Sequence, residues 1–309
     1  LIGAAAEIGL TVRAAEDGDL ILVERATVDA AAFAVTASGS FAPPTGAIEA
    51  TLASSRLDPT ALASFAPGAA LTAPEIRMTA SGTLDAPFVH LDLGLAEARF
   101  EGIAAHGLLL AADLTGPMDA PNSTLALRLD RLASGAVVAD AVTVDATVRA
   151  DRDRPNAVDF EATARAAAVA LCQPALDPTL AGPWQVNLKA AYDPSVAQSP
   201  IALTGAGGDG LDVAFQGDVT PAGAVRGRAG VTVADLQAFA ALAGAPLSGP
   251  GSAAANVDFG PGGLALDDIA VTGHGATVSG RAMLDPSFKT ISAALKLAAP
   301  QLGELAKLA

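Results

Sequence analysis

Cysteine occurs once, at Cys172, so no intrachain disulfide can staple this chain. A lone thiol of this kind is more commonly a small buried apolar side chain than a reactive one. Aromatic residues are 4% of the 309, with a single Trp and a single Tyr, so the large rings that usually fill a globular core are missing. Positive charge is scarce: 18 Lys and Arg face 33 Asp and Glu, a net charge of −15. That balance argues against binding nucleic acid by phosphate neutralisation and against docking on anionic headgroups through a basic patch. Although 51% of residues are hydrophobic, no run of 18 uninterrupted apolar residues occurs, so no segment reads as a membrane-spanning helix. The chain opens at Leu1 without Met and without a charged segment leading into an apolar one. A piece of a longer protein, with no signal peptide in view, is the expectation.

Catalytic signatures are missing too. His90, His106 and His274 are the only histidines, and none has a partner at metal-ligand spacing. His90 is expected on the wet face of a strand and His106 in a turn. HExxH, G-x-S-x-G and Walker lysine patterns do not occur. The carboxylates are scattered over strand faces and turns, which suits a solvated surface better than a paired acid and base. The expectation is a protein that is not an enzyme and needs neither metal nor cofactor.

What the chain does have is a repeat. Gly82-Thr-Leu-Asp-Ala-Pro87 is answered 34 residues later by Gly116-Pro-Met-Asp-Ala-Pro121. Leu91, Leu93 and Leu95 recur as Leu125, Leu127 and Leu129; Leu108 and Leu110 recur as Val142 and Val144, and Leu114 as Val148. A decayed third copy is suggested by Asp153 and Pro155-Asn156. A period of 34 residues also suits helical tetratricopeptide repeats, so spacing inside the unit must arbitrate. The apolar residues alternate with Asp92, Gly94, Thr143 and Asp145, the period of a strand with one dry and one wet face. The unit is therefore read as a β repeat: a Pro-containing turn, a strand, a second turn near Glu101–Gly107, and another strand.

The rest of the chain follows suit. Asp17-Gly18 between apolar runs signals a hairpin, and Ala32–Ser38 pairs with Ala47–Ala53 around the Pro43-Pro44-Thr45-Gly46 turn. Asp58-Pro59 opening an Ala-rich segment closed by Pro67 predicts a short helix over 58–66, and similar patterns predict helices at 235–243 and 301–309. Strand–strand–helix modules result at 32–67, 211–244 and 276–309. The whole of 1–309 reads as one elongated β-repeat segment, all-β and mainly antiparallel; helices this few and short cannot cover so many apolar strand faces, so either two sheet faces close tightly on each other or one sheet curls into a groove. Gly207-Gly208-Asp209-Gly210-Leu211-Asp212-Val213 matches one copy of a calcium-binding nonapeptide repeat. That fold needs tandem copies and none follows, so a Gly/Asp turn is the better reading. Asn122-Ser-Thr124 fits a glycosylation sequon, a weak match on three residues.

The combination of Gly82–Pro87 followed by alternating Leu, and of Ser279-Gly280-Arg-Ala-Met-Leu-Asp-Pro286 followed by Leu295, Leu297, Pro300, Leu302 and Leu305, resembles the AsmA-like superfamily of Gram-negative envelope proteins. Within it, the inner-membrane-anchored subunit of the translocation and assembly module is most similar. The resemblance implies a periplasmic interior segment, anchored in the inner membrane by parts of the protein outside this chain. It also implies phospholipid transport between membranes, or support of outer-membrane protein assembly with an outer-membrane barrel partner.

Two functions follow. The first is a lipid conduit, with acyl chains against Leu91, Leu93, Leu95, Leu108, Leu110, Leu125, Leu127, Leu129, Val142, Val144 and Val148. The second is a purely structural β-solenoid stalk filled by its own side chains. A unit of 34 residues that drifts in length favours the wider groove. The repeat is expected to set equivalent strands side by side.

Overall fold

The computed structural model describes residues 6–15, 18–30, 33–58, 70–100, 102–135, 137–171, 181–208, 210–239, 247–286 and 290–298. Cys172, the segment 301–309 and all but the first residue of 58–66 lie outside them. The strands fall into two units, residues 1–135 with 139–155, and 136–138 with 156–309.

In the first unit the strands are β1 (Ala6–Ala14), β2 (Ile21–Ala30), β3 (Phe33–Ala42), β4 (Ala47–Leu57), β5 (Ala70–Thr72), β6 (Glu75–Thr83), β7 (Pro87–Phe100), β8 (Ile103–Thr115), β9 (Asn122–Ala133) and β10 (Val137–Asp151). They form an antiparallel meander in which successive strands pair. The exception is around the short β5, where β4 pairs β6 and β5 extends the edge of β6 along β7. The second unit is a meander of β11 (Arg154–Leu171), β12 (Gly182–Tyr192), β13 (Ser199–Gly207), β14 (Leu211–Val219), β15 (Val225–Val233), β16 (Gly251–Gly260), β17 (Gly263–Gly273), β18 (Ala276–Leu284) and β19 (Ile291–Ala298). The fold is all-β and antiparallel, as the alternation in the sequence requires. The one described helix is a 3-10 turn, Leu236–Phe239, within the helix expected at 235–243, whose residues 240–243 lie outside the described residues.

Turn chemistry sets the meander. His274 and Gly275 both have positive φ, 47° and 72°, and join β17 to β18 as a two-residue hairpin loop whose twist matches the strands. Gly208 (φ 56°) and Gly210 (φ 81°) link β13 to β14, so the nonapeptide-like stretch is a turn. At the β12–β13 turn the buried Ser199 hydroxyl accepts from the Asp193 amide at 2.9 Å and donates to the Asp193 carbonyl at 3.2 Å.

Two expectations need correction. The turn expected over Glu101–Gly107 is tight: Phe100 pairs directly with Ile103, and His106 lies within β8 opposite Glu97. Its Ala-rich surroundings carry no period by which to place the turn. Nor are equivalent strands of the repeat neighbours. Leu93 and Leu127 both flank Leu110, so one 34-residue unit is a hairpin and β7 and β9 are separated by β8.

Small residues let strands approach where rings lie over them. Gly217 and Gly227 face each other across β14 and β15, and a Cβ on Gly227 would meet the Gln216 carbonyl and, at 2.7 Å, the Phe215 ring edge. Overpacking of this kind costs about 1–3 kcal/mol. Gly227→Ala is therefore expected to lower the thermal midpoint. Gly262→Ala, in open space, should leave it unchanged in the same calorimetric scan.

Candidate functional site

A strand shows alternate side chains to opposite faces, and directly paired residues share a face. In the first unit the registers thread single rows across many strands. Ile8, Val28, Val35, Ser54, Ile76, Leu93, Leu110 and Leu127 form one. (Ser54 joins through its side chain, which accepts from the Ile76 amide at 2.9 Å.) Leu52, Met78, Leu91, Ala112 and Leu125 form the next, and Leu95 pairs with Leu108. The Ala150 amide donates to the Pro121 carbonyl at 3.1 Å. Carried along β9 and β10, that register sets Leu127 opposite Val144 and Leu129 opposite Val142. Of the site residues read from the sequence, those on β7, β8 and β9 share this face. Val142, Val144 and Val148 alternate along β10 in the matching phase.

The second unit has an apolar face that the sequence reading left unassigned. Ala164, Val186, Gly205, Val213, Val231, Ala253, Val271, Val278 and Leu297 form an unbroken row over nine strands. Its signal is weak in the sequence because Ala164, Gly205 and Ala253 interrupt it, and neither Ala nor Gly stands out from its neighbours in hydrophobicity. Leu236, placed by the 3-10 turn, covers one end: a Cβ on Gly251 would lie 2.6 Å from its Cδ2. Asp235 fixes that turn by accepting from the Gln237 and Gly249 amides at 3.0 and 3.1 Å.

Neither face is packed as a core. Among the described residues only Ala30, Leu129, Ala139, Ala157, Leu211 and Val233 are buried apolar side chains. On β18, and on β6 as far as Ala80, the apolar side is half-buried at every position while the other side is exposed. This asymmetry belongs to a sheet curled toward its apolar side. At the edge strands β1 and β19 the apolar face opens to solvent, with Ile8 at 73% and Ile291 at 72% exposure.

The opposite sides are polar and cross-linked between strands. Ser38 meets Thr51 at 2.9 Å, Ser252 meets Thr272 at 2.8 Å, Lys189 pairs with Glu161 at 3.2 Å, and Arg226 with Asp258 at 3.0 Å. His90 lies on this side, as expected, with Nδ1 at 2.6 Å from Asp113 and Nε2 at 3.1 Å from Asp92. Thr124 donates to the other oxygen of Asp113 at 3.3 Å. Among the described residues no group of three or more His, Cys, Asp and Glu side chains is arranged to hold a metal, and no helix is long and apolar enough to cross a membrane.

Comparison with protein-family models, curated proteins and solved structures finds no match. The faces themselves therefore carry the functional reading.

The hydrogen bond to Asp113, reinforced by Asp92, raises the His90 pKa above 6.5 against a partial loss of hydration. A raised folded pKa means that the protonated cluster stabilises β7 and β8 fully below 6.5, and that this contribution is lost as pH rises through the folded value. A proton-NMR titration should find His90 above 6.5, and Asp113→Asn should bring it down.

Proposed function

We propose that the apolar faces hold the acyl chains of phospholipid and that this chain is a lipid-conduit segment of an AsmA-like, TamB-like envelope protein. The observation that carries this reading is the uncharged, half-buried face that runs from strand to strand in each unit without being closed over by a core. Apolar surface of this extent that is neither packed nor charged is usually a binding surface. The rows are aliphatic, so a chain of methylenes meets the same chemistry at every strand. Each buried methylene contributes about 0.8 kcal/mol, enough to hold a long acyl chain without a specific polar contact.

The periplasm, an inner-membrane anchor supplied by other parts of the protein, and cooperation with an outer-membrane barrel follow from the resemblance and belong to the same proposal. The stalk alternative requires the chain's own side chains to fill the interior. The scarcity of buried side chains among the described residues weighs against it.

A charge in the middle of the face would break the track, since acyl chains cannot solvate it. Leu127→Asp is expected to abolish lipid binding and transfer while the β-type circular dichroism spectrum persists. Asp92→Ala, on the polar side, should change little. Photocrosslinkers at 93, 127 and 144 should capture phospholipid, and those at 92 and 145 should not. Equal labelling of the two sets, or labelling of neither, rejects the conduit and leaves the stalk.

A further inference from the structure

The apolar side of the first unit ends in charge. Beyond the row of Leu95 and Leu108, and two residues further along each strand, come Glu97 on β7 and His106 opposite it on β8. Arg131 on β9 lies opposite His106, and its Nε is 3.9 Å from Asp140 on β10. Arg99 lies one position further out on the same side of β7, with Nε at 2.6 Å from Glu97 Oε1. The step from buried Leu129, 7% exposed, to Arg131 is two residues, about 7 Å along the strand. Apart from this row and the next one out, where Arg99 lies opposite Ala104, the rows that the strand registers define carry no charged residue on the apolar side among the described residues. This closing end of the face therefore departs from a rule that the rest of the sheets obey, and its charges are of both signs.

We propose that this row is a headgroup station for a zwitterionic phospholipid of the phosphoethanolamine type. The inference rests on the reading that the adjoining face holds acyl chains, and it adds which end of the lipid lies where. Arg99 and Arg131 each offer a guanidinium fork suited to a phosphodiester. Glu97 and Asp140 offer carboxylates to an ammonium. Neighbouring strands are about 4.8 Å apart, so opposite charges on adjacent strands stand at the spacing that a two-carbon linker sets between phosphate and ammonium. The side chains of Arg99, Arg131 and Asp140 are more than half exposed, so a ligand reaches them without displacing a core. A purely anionic headgroup would satisfy the arginines and be repelled by Glu97 and Asp140 within a chain of net charge −15. A lipid without a charged headgroup would leave the row's ion pairs as they are and gain nothing from them.

The test compares the whole chain with the double variant Arg99→Gln/Arg131→Gln. Binding is measured to phosphatidylethanolamine, phosphatidylglycerol and diacylglycerol of identical acyl chains, and to soluble phosphoethanolamine. Partly exposed charge pairs contribute little each, so the expected preference of the parent chain for phosphatidylethanolamine over diacylglycerol is about fivefold. Phosphatidylglycerol should bind more weakly than phosphatidylethanolamine. The double variant should lose the preference while its affinity for diacylglycerol and its circular dichroism spectrum stay unchanged, and free phosphoethanolamine should not compete.

A preference that survives the double substitution, or a parent chain without preference, overturns the headgroup station and leaves the acyl track standing. Competition by free phosphoethanolamine at equal strength overturns it in favour of a soluble ligand. Failure of every lipid to bind the parent chain rejects the acyl track and the station together.

Discussion

Every strand here has one face that water disfavours, and among the described residues few buried side chains are set against it. That constraint governs the rest of the structure. A β-sheet ordinarily covers its apolar face with a second sheet or with helices. Here the one described helix is the 3-10 turn Leu236–Phe239, and what it covers is the end of a face at Gly251 and Gly273. The sheets instead shelter the face by curling, which leaves side chains half-buried. A half-buried aliphatic surface is a compromise: backbone ladders hold the sheet together, while part of the hydrophobic gain remains for whatever binds there.

The choice of side chains follows from that compromise. In the second unit the row from Ala164 to Val278 is built from Ala, Gly and Val, and elsewhere on the same face Phe215 and Trp184 lie against glycines: a Cβ on Gly227 would press on Phe215, and one on Gly207 would overlap the Trp184 ring. Rings set against glycine cover a sheet without adding a layer to it. Register is kept by bulges that absorb extra residues on the polar side. Asp268, at φ 50°, occupies one between β16 and β17, and its carboxylate accepts from Asn256 at 2.9 Å. Because the irregularities are taken up there, the apolar row crosses β16 to β18 unbroken. A slip of one residue would turn Val257 outward and Asp258 inward, so the alternation itself specifies the pairing.

Much of this was legible in the sequence because strand periodicity is local. Leu91, Leu93 and Leu95 alternating with Asp92 and Gly94 identify a strand, its two faces and the wet side of His90 without knowledge of any partner. What depends on partners was less legible. The 34-residue period fixes the length of a structural unit but not how many strands it contains, so β7 and β9 were placed side by side until the register put β8 between them. The turn before His106 was misplaced because Ile103-Ala104-Ala105 carries no contrast between faces. The second unit's face went unassigned for a related reason: Ala164, Gly205 and Ala253 acquire a face only from the residues opposite them.

The same dependence hides the charged closing row. In the sequence Glu97, Arg99, His106, Arg131 and Asp140 are ordinary polar residues near strand ends, spread over 44 positions. Only the hairpin registers bring Glu97, Arg99, His106 and Arg131 to one end of one face, where Asp140 meets Arg131. A face that is uniform along its length provides holding without position: one aliphatic row is worth nearly the same as the next, so a chain lying on it meets shallow wells and small barriers. A polar row at the boundary of that face is where position can be specified, since an unpaired charge on either partner carries a larger penalty than a missing methylene contact. Uniform rows and one charged boundary divide the work between them, the rows giving affinity that any acyl chain can use and the boundary giving the orientation that the rows cannot.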